Sequence, residues 1–433
     1  MIGAGASGLL AAGRAAELGA GITLLEKMDK LGLKMLASGS GRCNLSNARD
    51  MDDFISAFGP NGRFLYPAFH HFFRPELLNL LNRYGVNTSV ESGGRIFPSS
   101  GRSSDVVQAL ALFAQDNGVN MITGADVSKI DTRVGHVSSV HVQGGASHAA
   151  DAVVLAAGGS SYPQTGSTGD GYKMAASLGH SIIRLRPALV PLVVEESGLA
   201  RALQGISLKG ARVTSFACRS GEIDIRAVPE VDAGRGLARQ KLRPPLIESR
   251  RGDVLFTHFG LSGPAVLLMS LAVVDALETN PVSISIDLLP DTPEKQLVTI
   301  VERLFTQHGS RLVKNVLESF APARIIAAAL KNTGGIADKK ASQVSLAERK
   351  ALCRALKDVR FNIRGPRPLS QAMVTAGGVC LDEVDPRTME SRLVKGLYLC
   401  GEVLDLDADT GGFNLQAAFS TGYLAGESTA KPD

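Results

Sequence analysis

The chain has 433 residues, of which 44% are hydrophobic and 20% are charged. This composition provides enough apolar material for large cores and excludes a disordered or low-complexity protein. The formal charge of +4 comes from 46 basic and 42 acidic residues. Spread over this length, the charge is too weak to favour nucleic acid as a partner.

The spacing of cysteines and histidines excludes the common metal and disulfide sites. The five cysteines lie far apart without a C-x-x-C pair, and the eight histidines show no metal-ligand spacing. We therefore expect reduced thiols in a cytoplasmic protein without a bound metal. The longest apolar stretch, residues 265–274, is interrupted by Ser270. It is far shorter than the roughly 20 residues that span a bilayer, so no membrane association is expected.

The first 26 residues have the order of elements that binds a dinucleotide. Gly3, Gly5 and Gly8 form a G-x-G-x-x-G fingerprint, followed by an Ala- and Leu-rich helix and a short apolar strand that ends at Glu26. The glycines allow a tight turn, close approach of a pyrophosphate and close helix–strand packing. The helix N-terminus attracts phosphates, and the acid suits ribose hydroxyls. The alternative is a glycine-rich turn before an alanine helix.

Only Met1 and Ile2 precede this fingerprint, although such a fingerprint ordinarily follows a buried parallel strand. Burial of each Val- or Ile-sized side chain contributes about 1.5–3 kcal/mol. Loss of about four such residues is comparable to the whole stability of a domain, about 5–15 kcal/mol. We therefore expect the natural chain to begin several residues upstream of Met1.

The later elements first alternate between helices and strands, and then form separate stretches of short strands and of helices. Helices are predicted over 77–84 and 105–117, a hairpin over 86–98, strands over 120–142, and an apolar strand that ends in two glycines over 152–159. Residues 186–256 contain short strands, residues 262–330 are more helical, short strands return from Val374, and a final helix covers 416–426. The simplest architecture is one α/β sheet domain made from both chain ends, interrupted by an insertion.

The C-terminal region indicates which dinucleotide binds. An apolar strand precedes Gly401 and Glu402, whose carboxylate suits the ribitol hydroxyls of FAD. A T-G-G-F-N-L-Q turn containing Gly411 and Gly412 then precedes a helix, whose N–H groups suit a flavin carbonyl or phosphate. A fold that binds only NAD does not need a second strand end with an acid and a second glycine turn near the C-terminus. The alternative for the two glycines is a helix-entry loop.

Several motifs resemble those of one flavoprotein family. The matching segments are G-A-G-A-S-G (3–8), L-L-E-K with L-G-L-K-M-L-A-S-G-S-G-R-C-N-L-S-N (24–47), G-G-R-I-F-P (93–98), L-A-A-G-G (155–159), T-G-S-T-G-D-G-Y (165–172), T-H-F-G-L-S-G-P-A (257–265), V-T-A-G-G-V (374–379), T-M-E-S-R (388–392) and the G-E-V-L-D run with T-G-G-F-N-L-Q. These segments cover nearly the full length of the chain and follow one another in the order found in one family. The chain therefore resembles the BaiN-like flavoproteins, also called aminoacetone-oxidase-family FAD-binding enzymes. It departs from them in the missing first strand and at Leu33, where members often carry Arg.

The resemblance implies a Rossmann-like FAD-binding domain in two parts, residues 1–187 and 366–433. An inserted region, 188–365, would be a β-rich, barrel-like domain over 188–256 and 340–365 with a helical segment over 257–339. The resemblance, together with the chemistry of the glycine-rich turns, implies cofactor contacts at Gly3, Gly5, Ala6, Ser7, Gly8, Glu26, Lys27, Lys34, Gly39, Gly41, Arg42, Cys43, Asn44, Val127, Ala157, Gly158, Gly401, Glu402, Gly411, Gly412, Phe413, Asn414, Leu415 and Gln416.

Some residues keep two interpretations. Lys34 and Arg42 are cations suited to phosphate or to the negative charge of a reduced flavin, whereas Cys43 is either a flavin neighbour or a small packing residue. Residues 166–171 form a turn near substrate or a plain loop. His258 is either a proton donor or a structural histidine. The basic run 234–251 is a solvated loop, an anion or RNA patch, or a surface that guides an anionic substrate or NAD(P)H.

The sequence thus predicts an FAD-dependent oxidoreductase that transfers a hydride or electrons between flavin and a small organic substrate. Because no second G-x-G-x-x-G occurs between residues 191 and 361, NAD(P)H would dock transiently, or O₂ would be the other redox partner. The resemblance allows both an enone reductase and an amine-type oxidase. The alternatives are a flavin-dependent RNA-modifying enzyme and a flavin-binding sensor without turnover. The substrate, the catalytic acid or base and the oligomeric state stay open.

Overall fold

A computed structural model describes residues 1–223 and 245–431 of the chain. Contacts divide the chain into two compact units. The terminal unit consists of Met1–Ala188 and the chain from Leu369 onwards, and the inserted unit lies between Leu189 and Pro368.

The elements follow one another in three blocks. The first block contains α1 (Ala6–Glu17), β1 (Thr23–Leu25), α2 (Leu33–Ala37), β2 (Ser46–Asn47), α3 (Met51–Ala57), α4 (Tyr66–His71), α5 (Arg74–Arg83), β3 (Thr88–Val90), β4 (Arg95–Pro98), α6 (Ser103–Asp116), β5 (Asn120–Ile122), β6 (Val127–Arg133), β7 (His136–Val142), β8 (Ser147–Ala149), β9 (Val153–Leu155), α7 (Asp170–Ser177) and β10 (Ile182–Ala188). The inserted block contains β11 (Leu192–Val194), α8 (Ser197–Leu203), β12 (Ser207–Phe216), β13 (Leu246–Thr257), β14 (Gly260–Ser262), α9 (Pro264–Ala276), β15 (Val282–Asp287), α10 (Glu294–Gln307), α11 (Val313–Leu317), α12 (Ala323–Leu330), α13 (Leu346–Leu356) and β16 (Val359–Pro366). The last block contains β17 (Val374–Val379), β18 (Leu397–Leu399) and α14 (Phe413–Ala430).

A parallel sheet forms the centre of the terminal unit. β1 pairs with β5, and β9 pairs with β18. Ile2 lies between the two pairs, because it bridges to Leu25 of β1 and to Leu155 of β9. The sheet therefore has the order β5–β1–Ile2–β9–β18 and uses strands from both ends of the chain. β9 and β18 are buried along their whole length, as expected when helices cover both faces of a parallel sheet. The predicted Rossmann-type α/β fold is confirmed.

The first and last helices join the two ends of the chain. A Cβ at Gly422 of α14 would lie 2.3 Å from the Ser7 carbonyl oxygen, and a Cβ at Gly426 would lie 2.3 Å from that of Ala11. Any side chain at either glycine would therefore force the helices apart. This close approach places the N-terminus of α1 beside the body of α14.

The described strands of the inserted unit close into a barrel with the order β11–β14–β13–β12–β15–β16. Its interior includes Phe256 and Phe361, whose ring centroids are 5.8 Å apart, and both side chains are almost fully buried. The barrel-like insertion predicted from the sequence is confirmed. The chain from α10 to α13 supplies the helical part of this unit.

The predicted boundaries inside the insertion were wrong in two places. β14 and β15 lie in the stretch predicted as helical, and α13 lies in the stretch predicted as β-rich. β15 reads V-S-I-S-I-D, an alternation of period two that is typical of a strand. Its serines are buried and keep partners, since Ser283 donates to the Cys218 carbonyl at 2.8 Å and Ser285 donates to Asp358 at 2.6 Å.

Among residues 1–223 and 245–431, no helix has both the length and the apolar character that crossing a bilayer requires. The same residues contain no group of three or more His, Cys, Asp or Glu side chains arranged to hold a metal ion.

A buried histidine fixes the segment that carries the T-M-E-S-R motif. The side chain of His180 is inaccessible to solvent; its Nδ1 lies 3.1 Å from Glu383 and its Nε2 lies 2.8 Å from the Ser391 hydroxyl. The Ser391 oxygen already accepts the N–H groups of Leu393 and Val394. Its proton therefore points to Nε2, and a neutral imidazole donates from Nδ1 to Glu383. Burial lowers the pKa of His180.

Replacement of His180 by Ala tests this arrangement through the pH dependence of stability. A histidine with a lowered folded pKa contributes stability above its unfolded pKa of about 6.5, and this contribution is lost as the pH falls through the folded pKa. We expect the variant to be about 2 kcal/mol less stable at pH 8 and the difference to shrink between about pH 6.5 and pH 5. Urea unfolding at both ends of this range measures the effect.

The control is His136→Ala, because His136 is exposed. The control should lose much less stability than His180→Ala at pH 8, because its side chain is not buried. A deficit for His180→Ala that stays constant down to about pH 5 would contradict a neutral, buried His180.

Candidate functional site

The three glycines of the fingerprint have different neighbours. A Cβ at Gly3 would lie 2.6 Å from the Ala156 carbonyl oxygen, and a Cβ at Gly8 would lie 1.9 Å from the Gly3 carbonyl oxygen. A Cβ at Gly5 would meet no atom within 4 Å. Packing within the chain therefore explains Gly3 and Gly8, whereas Gly5 opens onto space that a bound group can enter.

The N-terminus of α1 is suited to an anion. Gly5 is its N-cap residue, no side chain caps the helix, and its first turn carries no acid. The helix start therefore keeps its positive partial charge and its N–H donors for a ligand. Ala6 and Ser7 are the first two helical residues and are buried. Ala157 and Gly158 follow β9; Ala157 lies beside Gly3, and Gly158 lies beside Ser167.

Glu26 follows β1 and is held by the backbone. Its Oε2 accepts the Ala4 N–H at 2.7 Å and its Oε1 accepts the Met28 N–H at 2.9 Å. Each carboxylate oxygen keeps a second lone pair, which can accept a ribose hydroxyl. Val127, the buried first residue of β6, lies close in the chain to Ala125, whose N–H donates to the Glu26 carbonyl at 2.9 Å.

The T-G-S-T-G-D-G-Y segment lies beside Lys27. Asp170 begins α7 and pairs with Lys27 Nζ at 2.7 Å. Burial alone would raise the pKa of Asp170, but hydrogen bonds from Lys27 and Thr168 outweigh it and lower the pKa to about 2. The Lys27 cation is therefore paired with a group of this chain, and the 166–171 turn is placed at the Glu26 end of the site.

The T-G-G turn at the start of α14 docks on residues 44–47, at the end of the S-G-S-G-R-C-N-L-S-N loop. The Asn47 amide donates to the Gly411 carbonyl at 2.9 Å. The Asn44 amide, in the orientation that satisfies both of its ends, accepts the Gly412 N–H at 3.0 Å and donates to the Ser46 carbonyl at 3.2 Å. The contacts with Gly411 and Gly412 join residues more than 350 positions apart in the sequence.

Two buried polar atoms flank Gly412 without a hydrogen-bond partner among the described residues. They are Gln416 Oε1 and Ser46 Oγ. α14 has no side-chain cap and no acid in its first turn. Since buried polar atoms in folded proteins are normally satisfied, these atoms and the uncapped helix start point to a polar ligand here.

The neighbours of Gln416 have other tasks. The Asn414 side chain donates to the Ala408 carbonyl and accepts its N–H, both at 2.9 Å, and so closes the 408–414 loop. The Phe413 ring packs in the core against Phe54, with centroids 4.8 Å apart, and Leu415 packs partly buried against a second cluster. Phe413 and Asn414 can therefore reach a cofactor through their backbone but not through their side chains.

Lys34 and Glu402 form an ion pair. Lys34 also donates to Ser161 at 2.7 Å, and Glu402 Oε1 accepts from Ser161 at 3.2 Å and from the Thr375 N–H at 2.9 Å. Gly401 just before it has φ +75°, and a Cβ there would meet Ser7 Oγ at 2.5 Å. The strand end β18 is thereby held against the start of α1.

The sequence reasoning missed Ser46, Asn47, Ser161 and Thr375. Ser46 and Asn47 belong to the quoted L-S-N end of the glycine-rich loop, and Thr375 belongs to V-T-A-G-G-V. Their positions inside quoted motifs were a usable signal. Their contacts, however, are long-range and became visible only in three dimensions.

The glycine-rich loop brings Gly39, Gly41, Arg42 and Cys43 together. Gly39 and Gly41 are exposed, and Arg42 pairs with Glu91. Cys43 is buried, and burial raises the pKa of its thiol to about 11. The protonated thiol is a poor nucleophile, which favours the interpretation of Cys43 as a packing residue.

Two other candidates lie in the inserted unit. His258 is exposed in the turn between β13 and β14, and its ring contacts Phe259 with centroids 5.0 Å apart. The basic run 234–251 lies outside the described residues up to residue 244. Within its described part, Arg250 pairs with Glu248 and Arg251 pairs with Asp291.

The residues present fit an FAD molecule. Gly5 leaves room at an uncapped helix start, Glu26 offers acceptors at the end of β1, and the second uncapped helix start carries the orphaned Gln416 oxygen. A pyrophosphate, a ribose and a polar ring edge match these three features in turn.

Comparisons with known proteins agree with this geometry. The sequence profile of the HI0933-like protein Rossmann domain matches residues 1–428. The 3-dehydro-bile acid delta(4,6)-reductase of Clostridium scindens is 31% identical over 438 residues, which cover 100% of this chain and 98% of the reductase. The ribosomal RNA dihydrouridine synthase of Escherichia coli is 29% identical over 429 residues, which cover 99% of this chain and 96% of that protein.

A solved quinol–fumarate reductase with menaquinol molecules has the same fold, with a TM-score of 0.52 at 19% identity over 100% of this chain and 70% of that chain. The chain belongs to the HI0933-like Rossmann family, a family of flavoprotein oxidoreductases. The resemblance predicted from the motifs is confirmed.

Gly5→Ala and Gly8→Ala separate binding from folding. The added methyl at Gly5 meets open space at a φ of −81°, so stability should stay within about 1 kcal/mol of the wild type. The methyl would obstruct a pyrophosphate, and we expect at least about tenfold weaker FAD binding, or 1.4 kcal/mol. Gly8→Ala should instead cost about 3 kcal/mol of stability. Thermal unfolding and FAD titration measure both effects, and unchanged affinity in Gly5→Ala would refute the placement.

Gly412→Val should give colourless protein. The reason is steric, because a Cβ at Gly412 would lie 2.2 Å from the Ser46 carbonyl oxygen at a φ of +98°. Gly135→Val is the matched control, since Gly135 has a φ of +76° and a Cβ there would meet no atom. The control should stay yellow, and yellow Gly412→Val protein would show that the docked turn is not needed.

Proposed function

We propose that this protein is an FAD-dependent reductase that saturates a carbon–carbon double bond conjugated to a carbonyl group. The observation that carries the proposal is the presence of two uncapped helix starts in the terminal unit, from opposite ends of the chain, with open space at Gly5 and an orphaned acceptor at Gln416. When bound, FAD supplies a carrier of two electrons that can accept and donate hydride.

The residues of the chain would bind and orient this cofactor. The start of α1 would hold the pyrophosphate and Glu26 a ribose. The loop around Gly39 and Gly41, with the start of α14, would hold the flavin ring. Gln416 Oε1 accepts but does not donate, so it would bind a ring N–H. Lys34, paired with Glu402, would hold the end of β18 in place beside the cofactor.

The substrate class is inferred from chemistry that two full-length relatives share. One is named for reduction of delta(4,6) bonds in a 3-dehydro-bile acid, and the other for synthesis of dihydrouridine. Both names describe hydrogenation of a double bond conjugated to a carbonyl. In such a reaction one carbon gains a hydride equivalent and its neighbour gains a proton, so the substrate is reduced by two electrons.

We infer that NAD(P)H is the electron donor. Reduction of a double bond requires an external reductant, and no second dinucleotide fingerprint occurs between residues 191 and 361. An NAD(P)H molecule that docks transiently at the flavin would supply the electrons and would not need a second dinucleotide-binding domain. An oxidase that passes electrons to O₂ is the competing possibility, and it predicts the opposite direction of flavin chemistry.

A second candidate is a ribosomal RNA substrate. It is favoured by the name of the Escherichia coli relative and by the basic run 234–251. In the described part of this run, however, Arg250 and Arg251 are already engaged in ion pairs. A small conjugated carbonyl compound remains the first choice. RNA binding, if it occurs, should weaken steeply with salt.

Anaerobic reduction followed by reoxidation tests the proposal. The FAD-loaded protein is mixed with NADH or NADPH, and we expect loss of the flavin absorption band near about 450 nm. A steroid dienone is then added without oxygen, and the band should return together with the saturated product. Uracil-containing ribosomal RNA is the parallel arm. Product formation only with RNA would favour the second candidate.

Two further outcomes contradict the proposal. If no donor bleaches the flavin, the protein is a sensor without turnover. If the reduced flavin is reoxidised by O₂ but by no conjugated carbonyl compound, it is an oxidase. FAD-depleted protein is the control and should convert neither substrate.

A further inference from the structure

The turn at Ser38–Gly41 has a backbone that few sequences tolerate. φ is +56° at Gly39, +58° at Ser40 and +83° at Gly41, and Cys43 follows at +61°. Successive left-handed residues are unfavourable wherever a side chain is present. Backbone held in such a region persists only when surrounding structure fixes it.

Contacts within the turn are few. The Cys43 N–H donates to the Ser38 carbonyl at 3.1 Å, and the Arg42 N–H donates to the Gly39 carbonyl at a longer 3.3 Å. Residues 39–41 are exposed, and a Cβ at Gly41 would meet no atom within 4 Å. The turn is therefore held mainly from outside.

Arg42 connects the turn to the β3–β4 hairpin. Its guanidinium carbon lies 4.1 Å from the centroid of the Phe97 ring. Its Nη1 donates to Glu91 Oε1 at 2.7 Å and its Nη2 donates to Glu91 Oε2 at 3.1 Å. A forked pair fixes orientation as well as distance, and stacking on the ring adds a cation–π attraction. Hydrogen bonds from Arg42 lower the pKa of Glu91, so the pair is charged at neutral pH.

The hairpin is itself anchored beside the turn. β2, which follows the loop, pairs with β4, and the Leu45 N–H donates to the Ile96 carbonyl at 2.8 Å. Phe97 is buried in β4. The left-handed segment, residues 39–43, is thus fixed at two places: Arg42 holds it from inside the segment, and the pairing of β2 with β4 holds the chain that follows it.

We propose that Arg42, Glu91 and Phe97 form a clamp that holds the left-handed turn in the shape that receives the flavin. Arg42 and Glu91 are positioning residues: the Arg42 charge is used by Glu91 and does not bind the cofactor. This inference rests on the proposed function, because it takes FAD binding at this turn as given. It differs from the sequence-based interpretation of Arg42 as a cation for phosphate or reduced flavin, which stays a prediction.

Glu91 distinguishes the two roles of Arg42. If Arg42 bound the negative charge of the cofactor directly, Glu91 would compete for it, and Glu91→Gln would tighten FAD binding. A clamp predicts the reverse, because Glu91→Gln removes a charged acceptor from the fork and loosens the turn. The substitution is isosteric and lies on the surface, so folding should be preserved.

The first readout is the FAD dissociation constant of apoprotein, followed by flavin fluorescence. We expect at least about tenfold weaker binding in Glu91→Gln and Arg42→Met, and no further loss in the double variant, because both act on one clamp. Arg102→Gln is the matched control, since Arg102 pairs with Asp105 at 3.2 Å on the surface of the same unit. Its FAD affinity should not change. Unchanged or tighter binding in Glu91→Gln would overturn the clamp.

The second readout needs no cofactor. Amide hydrogen exchange across residues 39–44 of the apoprotein should be at least about tenfold faster in Glu91→Gln than in the wild type or the control. Equal exchange would overturn the clamp even if affinity changed. A wild-type protein that takes up no FAD would contradict the proposed function, and the exchange measurement would still decide whether the clamp holds the turn.

Discussion

The docking of the Gly411–Gly412 turn on the Asn44–Asn47 segment is the constraint on which the site depends. Gly412 approaches the Ser46 backbone so closely that no side chain fits, and the amides of Asn44 and Asn47 form hydrogen bonds with the turn. A hydrogen bond of this kind contributes only about 1 kcal/mol net. Its larger effect is geometric, because it sets where α14 begins.

Two other sets of contacts fix the positions of the helix starts and of Gly3. α14 lies against α1 through Gly422 and Gly426, so the starts of both helices belong to one rigid arrangement within the terminal unit. Ile2 bridges β1 and β9, which places Gly3 between the strand ends. The chain therefore builds two uncapped helix starts from segments some 400 residues apart, and both attract negative charge.

Much of this could be predicted from the sequence. The spacing of Gly3, Gly5 and Gly8, the acid at Glu26 and the T-G-G-F-N-L-Q turn are local patterns whose physical purpose is known. The atoms that the glycines approach were not predictable, because Ala156 and Ser46 are distant in sequence from Gly3 and Gly412. Ser161 and Glu402 are 241 positions apart, and such pairs leave no mark in local periodicity. In the insertion, the alternation of β15 was present in the sequence but short enough to be taken for part of a helical stretch.

The assignment of roles also changed at single residues. Lys27, Lys34 and Arg42 are cations that the sequence marks as cofactor ligands, yet each has a carboxylate partner within the terminal unit. The uncapped helix starts, rather than these side chains, are the free sources of positive potential in the site. This favours a design in which backbone groups bind FAD and charged side chains shape the backbone.

A crystal structure of the protein with FAD tests the central claim most directly. The account predicts one FAD per chain, with its pyrophosphate within hydrogen-bond distance of the N–H groups of residues 5–7 and its flavin ring beside Gly411 and Gly412. Electron density for FAD at any other place, or a ring remote from the start of α14, would contradict it.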